Sequence, residues 1–442
     1  KEALECLKQM QNEGIFLNEI TFVWILKACC NSRDAIMGQE SHANITKMGL
    51  EREVLIGNTL VDLYAKCGLF DMAQETFHNL PSQDTVTWNA LISGYAEHGY
   101  SDQALRCHEK ALREGVYMNA ITYFSVLKSC ANLKAIAKGK EIHAEIATKG
   151  LEIEKFTANM LINMYAKCGL LAEAQQIFDT LPCRDINSWN MVIEGYGNHA
   201  YYREALDCFV HMHNEGCSPN TCTLIYSLRI SIGMGCVNKG KEIHSDISKM
   251  GLEGETLVAN TLVDMYGKNG LSATAWKVHN SHPNRNVVSW TALLAGFVEH
   301  KRGEDALHCF EAMQHDSVSS NAVTLVCLLK ACGMTQARSS GQEIHAEVAR
   351  KGLENDIVIG NTLVDMYAKC GLLDTAQDMF DRLPIHDTVS WNVLLSGYAD
   401  NACDEEVLIC IEQLQHEGIH PNTVTYVSSL KSCGNIGAAL KG

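Results

Sequence analysis

The sequence predicts an all-α protein, a solenoid of stacked two-helix repeats, and three observations carry that expectation. The stretch "GNTLVDLYAKCG" at Gly57–Gly68 returns in related form at Ala158–Gly169, Ala259–Gly270 and Gly360–Gly371, each time 101 residues on. The Trp of "TWNALISGY" recurs at Trp88, Trp189, Trp290 and Trp391, and the Thr of "ITFVWILKAC" at Thr21, Thr122, Thr223, Thr324 and Thr425, at the same interval. Within each interval the apolar residues keep helical spacing. Self-similarity at a fixed period marks a repeat architecture, and a period free of insertions means tightly stacked units.

Each period splits into three related units: 31 residues from Val54, 35 from Thr85 and 35 from Ala120. Every unit reads as two helices. In the first, Leu60, Leu63, Tyr64 and Cys67 form one apolar stripe. Gly68 suits the left-handed position that ends a helix. The second helix carries Ala73, Phe77 and Leu80 and stops at Pro81. No unit can bury its stripe alone, so stacking must build the core.

Composition narrows the class. The 442 residues are 46% hydrophobic, which fits a folded chain and argues against disorder. No run of about 18 apolar residues occurs, so no membrane span is expected. The chain opens inside a helical pattern, "KEALECLKQM", and reads as a segment of a longer array. Many of its 19 Cys recur at fixed repeat positions, such as Cys67, Cys168 and Cys370, or Cys29, Cys130, Cys332 and Cys433. They are read as reduced core thiols of an intracellular protein rather than a disulfide framework. A net charge of −16 counts against bulk electrostatic binding of nucleic acid, so any such role needs its cations gathered on one surface.

The motifs "SWN-xxI-xGY", "LV-DMYAKCG" and "LKAC…GKEIHAE", in units of 35, 35 and 31 residues, resemble pentatricopeptide repeats. The length alternation is similar to the plant PLS subclass. In its terms L units cover 19–53, 120–154, 221–255 and 322–356. S units cover 54–84, 155–185, 256–286 and 357–387, and P units 85–119, 186–220, 287–321 and 388–422. A partial P (1–18) and a partial L (423–442) flank them. The resemblance covers the whole chain and implies a right-handed superhelix. It also implies sequence-specific binding of single-stranded RNA in a chloroplast or mitochondrion, one base per repeat, to specify C-to-U editing or other processing. Partners would be the organellar transcript and editing cofactors or a deaminase in trans, with no small-molecule substrate and no cofactor. The competing class is a protein-binding solenoid scaffold.

The family's two-residue code, carried over, pairs the fifth and last residues of a unit. The S pairs are Asn58 with Asp84, Asn159 with Asp185, Asn260 with Asn286 and Asn361 with Asp387. The P pairs are Asn89 with Asn119, Asn190 with Asn220, Thr291 with Asn321 and Asn392 with Asn422. By that code Asn/Asp favours U, Asn/Asn a pyrimidine and Thr/Asn A. The L units hold Val23, Phe124, Ile225, Val326 and Val427 at position five, which cannot hydrogen-bond a base. The implied reading from Val54 is 5′-U-Y-N-U-Y-N-Y-A-N-U-Y-N-3′. At position two, Leu55, Val86, Phe156, Leu257, Val288, Val358 and Val389 would flank the bases; Asn187 breaks the row. The competing reading of the asparagines at position five is as helix N-caps.

Lys66, Lys167, Lys268 and Lys369 (position 13 of the S units) and Lys27, Lys128, Arg229, Lys330 and Lys431 (position nine of the L units) are candidate phosphate contacts. The P units hold Glu97, Asn198, Glu299 and Asp400 at position 13, so modest salt dependence is expected. No catalytic residue is assigned. "HAE" at His143–Glu145 and His345–Glu347 matches half of a deaminase zinc signature, but no C-x-x-C accompanies it, and His42 and His244 mark it as part of the repeat. His143 and its equivalents are read as packing residues, and no metal is expected.

Overall fold

The helical periodicity is realised in a computed structural model that describes residues 18–152 and 154–437. The partial unit expected over 1–18 lies, but for Asn18, outside the described residues, as does the end of 423–442. Among the described residues there are 25 α-helices, one turn of 3₁₀ helix at Leu252–Gly254 and no strand.

Thirteen of these are first helices: Glu19–Ser32, Val54–Lys66, Thr85–Glu97, Ala120–Leu133, Lys155–Lys167, Ile186–Asn198, Thr221–Gly233, Thr256–Lys268, Val287–Glu299, Ala322–Thr335, Ile357–Lys369, Thr388–Asp400 and Thr423–Asn435. Between them run the second helices Ala35–Lys47, Phe70–Asn79, Ser101–Arg113, Ile136–Thr148, Leu171–Thr180, Tyr202–Asn214, Val237–Lys249, Ser272–Ser281, Gly303–His315, Arg338–Arg350, Leu373–Asp381 and Asp404–His416. The 31-residue units are short because their second helix is: Phe70–Asn79 has 10 residues where Ser101–Arg113 has 13.

Two compact units divide the chain, Lys1–Thr223 and Leu224–Gly442. In each, a first helix packs on its own second helix and on the next first helix, which is the α-solenoid arrangement. The first unit's core is built on Phe22, Leu60, Leu63, Tyr64, Trp88 and Tyr123, all buried. The second is built on Leu262, Trp290, Leu363, Tyr367, Phe380 and Trp391. Cys29, Cys130, Cys332 and Cys433 are buried as small apolar side chains. Gly68 ends its helix at φ 76°, and Leu69 N–H reaches back to the Tyr64 carbonyl at 2.9 Å. The histidines expected to be packing residues also bind. His42, His143, His244 and His345 bond through Nδ1 to the hydroxyls of Tyr64, Tyr165, Tyr266 and Tyr367 at 2.7 to 2.8 Å.

Successive first helices approach closely where the sequence places its smallest residues. A Cβ on Gly94 would lie 2.4 Å from the Ala65 Cβ. Gly94→Val therefore forces the helices Val54–Lys66 and Thr85–Glu97 apart, at a cost of about 1–3 kcal/mol. Denaturant unfolding should record that loss.

A second weak point lies in the core of the second unit. Phe77, Phe178 and Phe380 each meet the Trp of the next helix edge-on at 4.6 to 4.7 Å, but His279 holds the equivalent place, 4.1 Å from the Trp290 ring and 1% exposed. Burial, reinforced by Arg285 and only partly offset by Asn280 and Asp316, pushes its imidazole from 6.5 down to about 4. The unfolded chain takes up this proton first, so stability is complete above pH 6.5 and falls as pH drops towards 4. At 1.36 kcal/mol per pH unit the loss is roughly 3 kcal/mol. His279→Phe should remove that slope from the pH dependence of the melting temperature and raise the temperature itself.

Candidate nucleic-acid interface

In five of the eight expected pairs the residues at positions five and last of a unit are hydrogen-bonded to each other, although 26 or 30 residues separate them in sequence: Asn58 with Asp84, Asn89 with Asn119, Asn190 with Asn220, Asn260 with Asn286 and Asn392 with Asn422. Asn159 with Asp185, Asn361 with Asp387 and Thr291 with Asn321 are not joined in this way. Asn58 is the fifth residue of its helix and 7% exposed, so it is not an N-cap. The cap is its partner. Asp84 Oδ1 accepts from the backbone N–H groups of Val86 and Thr87, both at 2.9 Å, and holds the start of the helix Thr85–Glu97. Asn58 Nδ2 donates to the same carboxylate, at 3.1 Å to Oδ1 and 3.2 Å to Oδ2. A third residue closes the group: the Thr87 hydroxyl donates to Asn58 Oδ1 at 2.5 Å.

The arrangement recurs. Asn89, Asn190 and Asn392 donate through Nδ2 to Oδ1 of Asn119, Asn220 and Asn422 at 3.1 to 3.2 Å. The hydroxyls of Thr223 and Thr425 donate to Asn190 and Asn392 Oδ1, both at 2.6 Å, and that of Thr122 to Asn89 Oδ1. Ser188 does the same for Asn159 at 2.7 Å. Thr291 donates to the Val287 carbonyl at 2.6 Å and meets the Thr324 hydroxyl at 2.7 Å.

Burial pushes the Asp84 carboxyl up, but hydrogen bonds from Thr87, Asn58 and Val86 outweigh it and hold the group below its usual range. Asp185 is also raised by burial, and bonds from Lys155 and Ser188 bring it down to about 2. Lys155 Nζ lies 2.9 Å from Asp185 Oδ2, a contact that sequence reading did not anticipate.

Most repeats in each compact unit also expose an apolar side chain at position two. Leu55, Val86, Phe156, Leu257, Val288, Val358 and Val389 are each 51 to 60% exposed. The pattern continues where sequence reading did not follow it, through Ile20, Ile121, Val323 and Val424. Asn187 and Cys222 interrupt it, both exposed. Phe156 stacks on Phe124 at 5.9 Å.

The L units lack the polar group. Val23 and Ile225 at position five are buried, Phe124 and Val326 half-buried, and Val427 exposed. Their last residues Glu53, Glu154 and Glu255 make no cap bond; Asp356 does.

The cations are less free than their spacing suggests. Lys66, Lys268 and Lys369 pair with Asp62, Asp264 and Asp365 one turn back at 2.7 to 3.0 Å, and Lys431 with Asp400 at 3.2 Å. Lys27 lies over the Trp24 ring at 5.3 Å. Lys167 has Asn163 one turn back instead of a carboxylate, and it, Arg229 and Lys330 are exposed, with Lys128 half-buried. Among the described residues no cluster of three or more His, Cys, Asp or Glu is arranged to hold a metal, and no helix is long and apolar enough to cross a membrane.

Stacked helical hairpins that repeat at fixed lengths define a helical-repeat protein. Comparison with known proteins narrows the class. The PPR repeat family model matches residues 83–132, 184–226 and 285–334, and the PPR repeat model matches 58–83, 156–186, 361–385 and 389–419. The chain belongs to the pentatricopeptide repeat family. Among its relatives from Arabidopsis thaliana, a chloroplastic and a mitochondrial pentatricopeptide repeat-containing protein are 30% and 31% identical over 100% of this chain and 51% of their own lengths. A further chloroplastic one is 30% identical over 98% of this chain and 70% of its own. The chain thus spans about half the length of the first two. The crystal structure of the pentatricopeptide repeat protein PPR10 from maize shares the fold, with a TM-score of 0.65 at 19% identity over 98% of this chain and 69% of that one.

Proposed function

We propose that the chain is a non-catalytic array that binds single-stranded RNA in a base-specific way, one base for each S or P unit. The carrying observation is the capped pair. In the Asn58, Asn89, Asn190 and Asn392 units, Oδ1 of the last residue serves the next helix and the asparagine at position five. What the last residue has left to offer a base lies on its other atom: Oδ2 of an Asp, an acceptor with a lone pair beyond the 3.2 Å contact that Asn58 makes to it in the first such unit, or Nδ2 of an Asn, a donor. The acceptor suits the ring N–H of uracil; the donor suits the ring nitrogen of cytosine. The lowered pKa of Asp84 and of Asp185 keeps each carboxylate ionised, and Oδ2 an acceptor, at neutral pH. Lys155 occupies that oxygen of Asp185 and Asn187 interrupts the apolar row next to it, so this register is the weakest reader of U. The apolar row supplies faces against which bases stack. Ion pairing of Lys66, Lys268 and Lys369 leaves Lys167, Arg229 and Lys330 as the better phosphate contacts, with a shallow salt dependence.

The alternation of 35, 35 and 31 residues supports the PLS subclass, and the relatives named as chloroplastic or mitochondrial support an organelle. Within that reading the array selects the site of C-to-U editing or other processing. Catalysis is then left to a further domain or to a deaminase acting in trans.

A 12-mer matching U-Y-N-U-Y-N-Y-A-N-U-Y-N should bind more tightly than a scrambled 12-mer of equal composition in a fluorescence anisotropy titration. Equal affinity, or none, sinks the RNA assignment and leaves the protein-binding scaffold. Thr291→Asn should move preference at the eighth base from A to a pyrimidine by roughly tenfold, a shift of about 1.4 kcal/mol. An unchanged preference removes the pair Thr291 and Asn321 from the reading.

A further inference from the structure

We infer that the hydroxyl at position three of the following unit is a positioning residue. It sets which way the amide at position five faces, and so how sharply that unit distinguishes bases. The inference rests on the base-reading proposed above.

An asparagine amide can be flipped, exchanging an acceptor for two donors, and nothing in its shape prevents that. In the Asn58 unit two neighbours forbid it. Asp84 Oδ1 is fixed by the backbone N–H groups it caps, so it requires the amide nitrogen of Asn58. The Thr87 hydroxyl then closes on Asn58 Oδ1. One amide N–H and one oxygen lone pair remain for a base, in fixed places. Thr122, Thr223 and Thr425 hold Asn89, Asn190 and Asn392 in the same manner.

Two units are not held. Asn260 and Asn361 are 8% exposed, and the Oδ1 of each is buried without a partner. In both, the next repeat has serine at position three, Ser289 or Ser390. Ser289 turns its hydroxyl to the Asn286 carbonyl at 2.9 Å. Ser390 keeps only the bond to its own cap, Asp387 Oδ1, at 2.9 Å, a bond that Thr87 and Ser188 also make, and does not reach Asn361. The Asn260 to Asn286 contact is accordingly longer, at 3.4 Å. Threonine is stiffer than serine at χ1, which favours the engaged rotamer. Ser188 engages Asn159 all the same, so serine permits the turned rotamer without requiring it. The Asn58, Asn89, Asn190 and Asn392 registers are therefore sharp readers, and the Asn260 and Asn361 registers permissive ones.

The test compares U with C at the Asn58 register of the 12-mer, using the full chain and anisotropy. Wild type should prefer U. Thr87→Val keeps the side-chain shape and removes the hydroxyl, recreating the state of Asn260. It should reduce the U/C affinity ratio at that register roughly 3- to 10-fold, the range of one hydrogen bond. Pyrimidine preference at the Asn392 register should not change, and Thr87→Ser should restore part of the ratio. In the opposite direction, Ser289→Thr should sharpen pyrimidine over purine at the Asn260 register by about 2- to 5-fold. A wild-type ratio retained in Thr87→Val overturns the inference and leaves the base-reading intact. So does a loss spread evenly over all registers, which would mark Thr87 as structural alone. A wild type without base preference at any register overturns the underlying reading, and the inference with it.

Discussion

Each S or P unit depends on one interaction at its end: a short polar side chain whose oxygen accepts the first free N–H groups of the next helix. Four such donors are left unsatisfied at any helix start, and Asp or Asn placed just before it supplies the missing acceptor. Asp84, Asn119, Asp185 and Asn422 all do this. Because the backbone fixes the cap, whatever is bonded to the cap inherits its orientation. Asn58, Asn89, Asn190 and Asn392, each one unit-length back, are held by that means and not by packing alone. Helix capping and the presentation of polar atoms to solvent are thus one arrangement of atoms.

The L units show what happens when the ingredients are withheld. Glu53, Glu154 and Glu255 are one methylene longer than aspartate and make no cap bond. Position five is apolar in each preceding helix. Asp356 shows that the cap by itself is insufficient: it accepts from Val358 and Ile359, yet Val326 offers it nothing to hold. Both halves are needed for a polar group, and only the S and P units have both.

Much of this was legible in the sequence. The helices begin at Val54, Thr85 and Ala120 because apolar periodicity and the Gly and Pro stops leave little choice. The row at position two was readable by register alone, and its continuation through Ile20 and Ile121 follows the same arithmetic. The pairs at positions five and last came from family resemblance, since no local pattern joins residues 26 apart. The third member was hidden for a different reason. Thr87 sits three residues after Asp84 and reads as the local half of a capping box, which it also is. Its second bond reaches back 29 residues. Only its recurrence, as Thr122, Ser188, Thr223, Ser289, Thr324, Ser390 and Thr425, hinted at a longer reach. The pairing of Lys66 with Asp62 was visible as an i,i+4 spacing. The Lys155 contact with Asp185 was not, because it crosses a full unit.

The shared end residue has a consequence for how such an array changes over time. Asp84 closes one unit and opens the next, so the boundary between them has no residue of its own and no slack. A single inserted or deleted residue there would separate the cap from its helix or from its asparagine. Length can therefore change only in whole units, while meaning changes by substitution at fixed addresses. The chain behaves like type set without spacing between the sorts: a letter can be exchanged, or a whole block added, but nothing can be nudged sideways. Over more than four hundred residues the interval of 101 is kept without one slip, as that constraint requires.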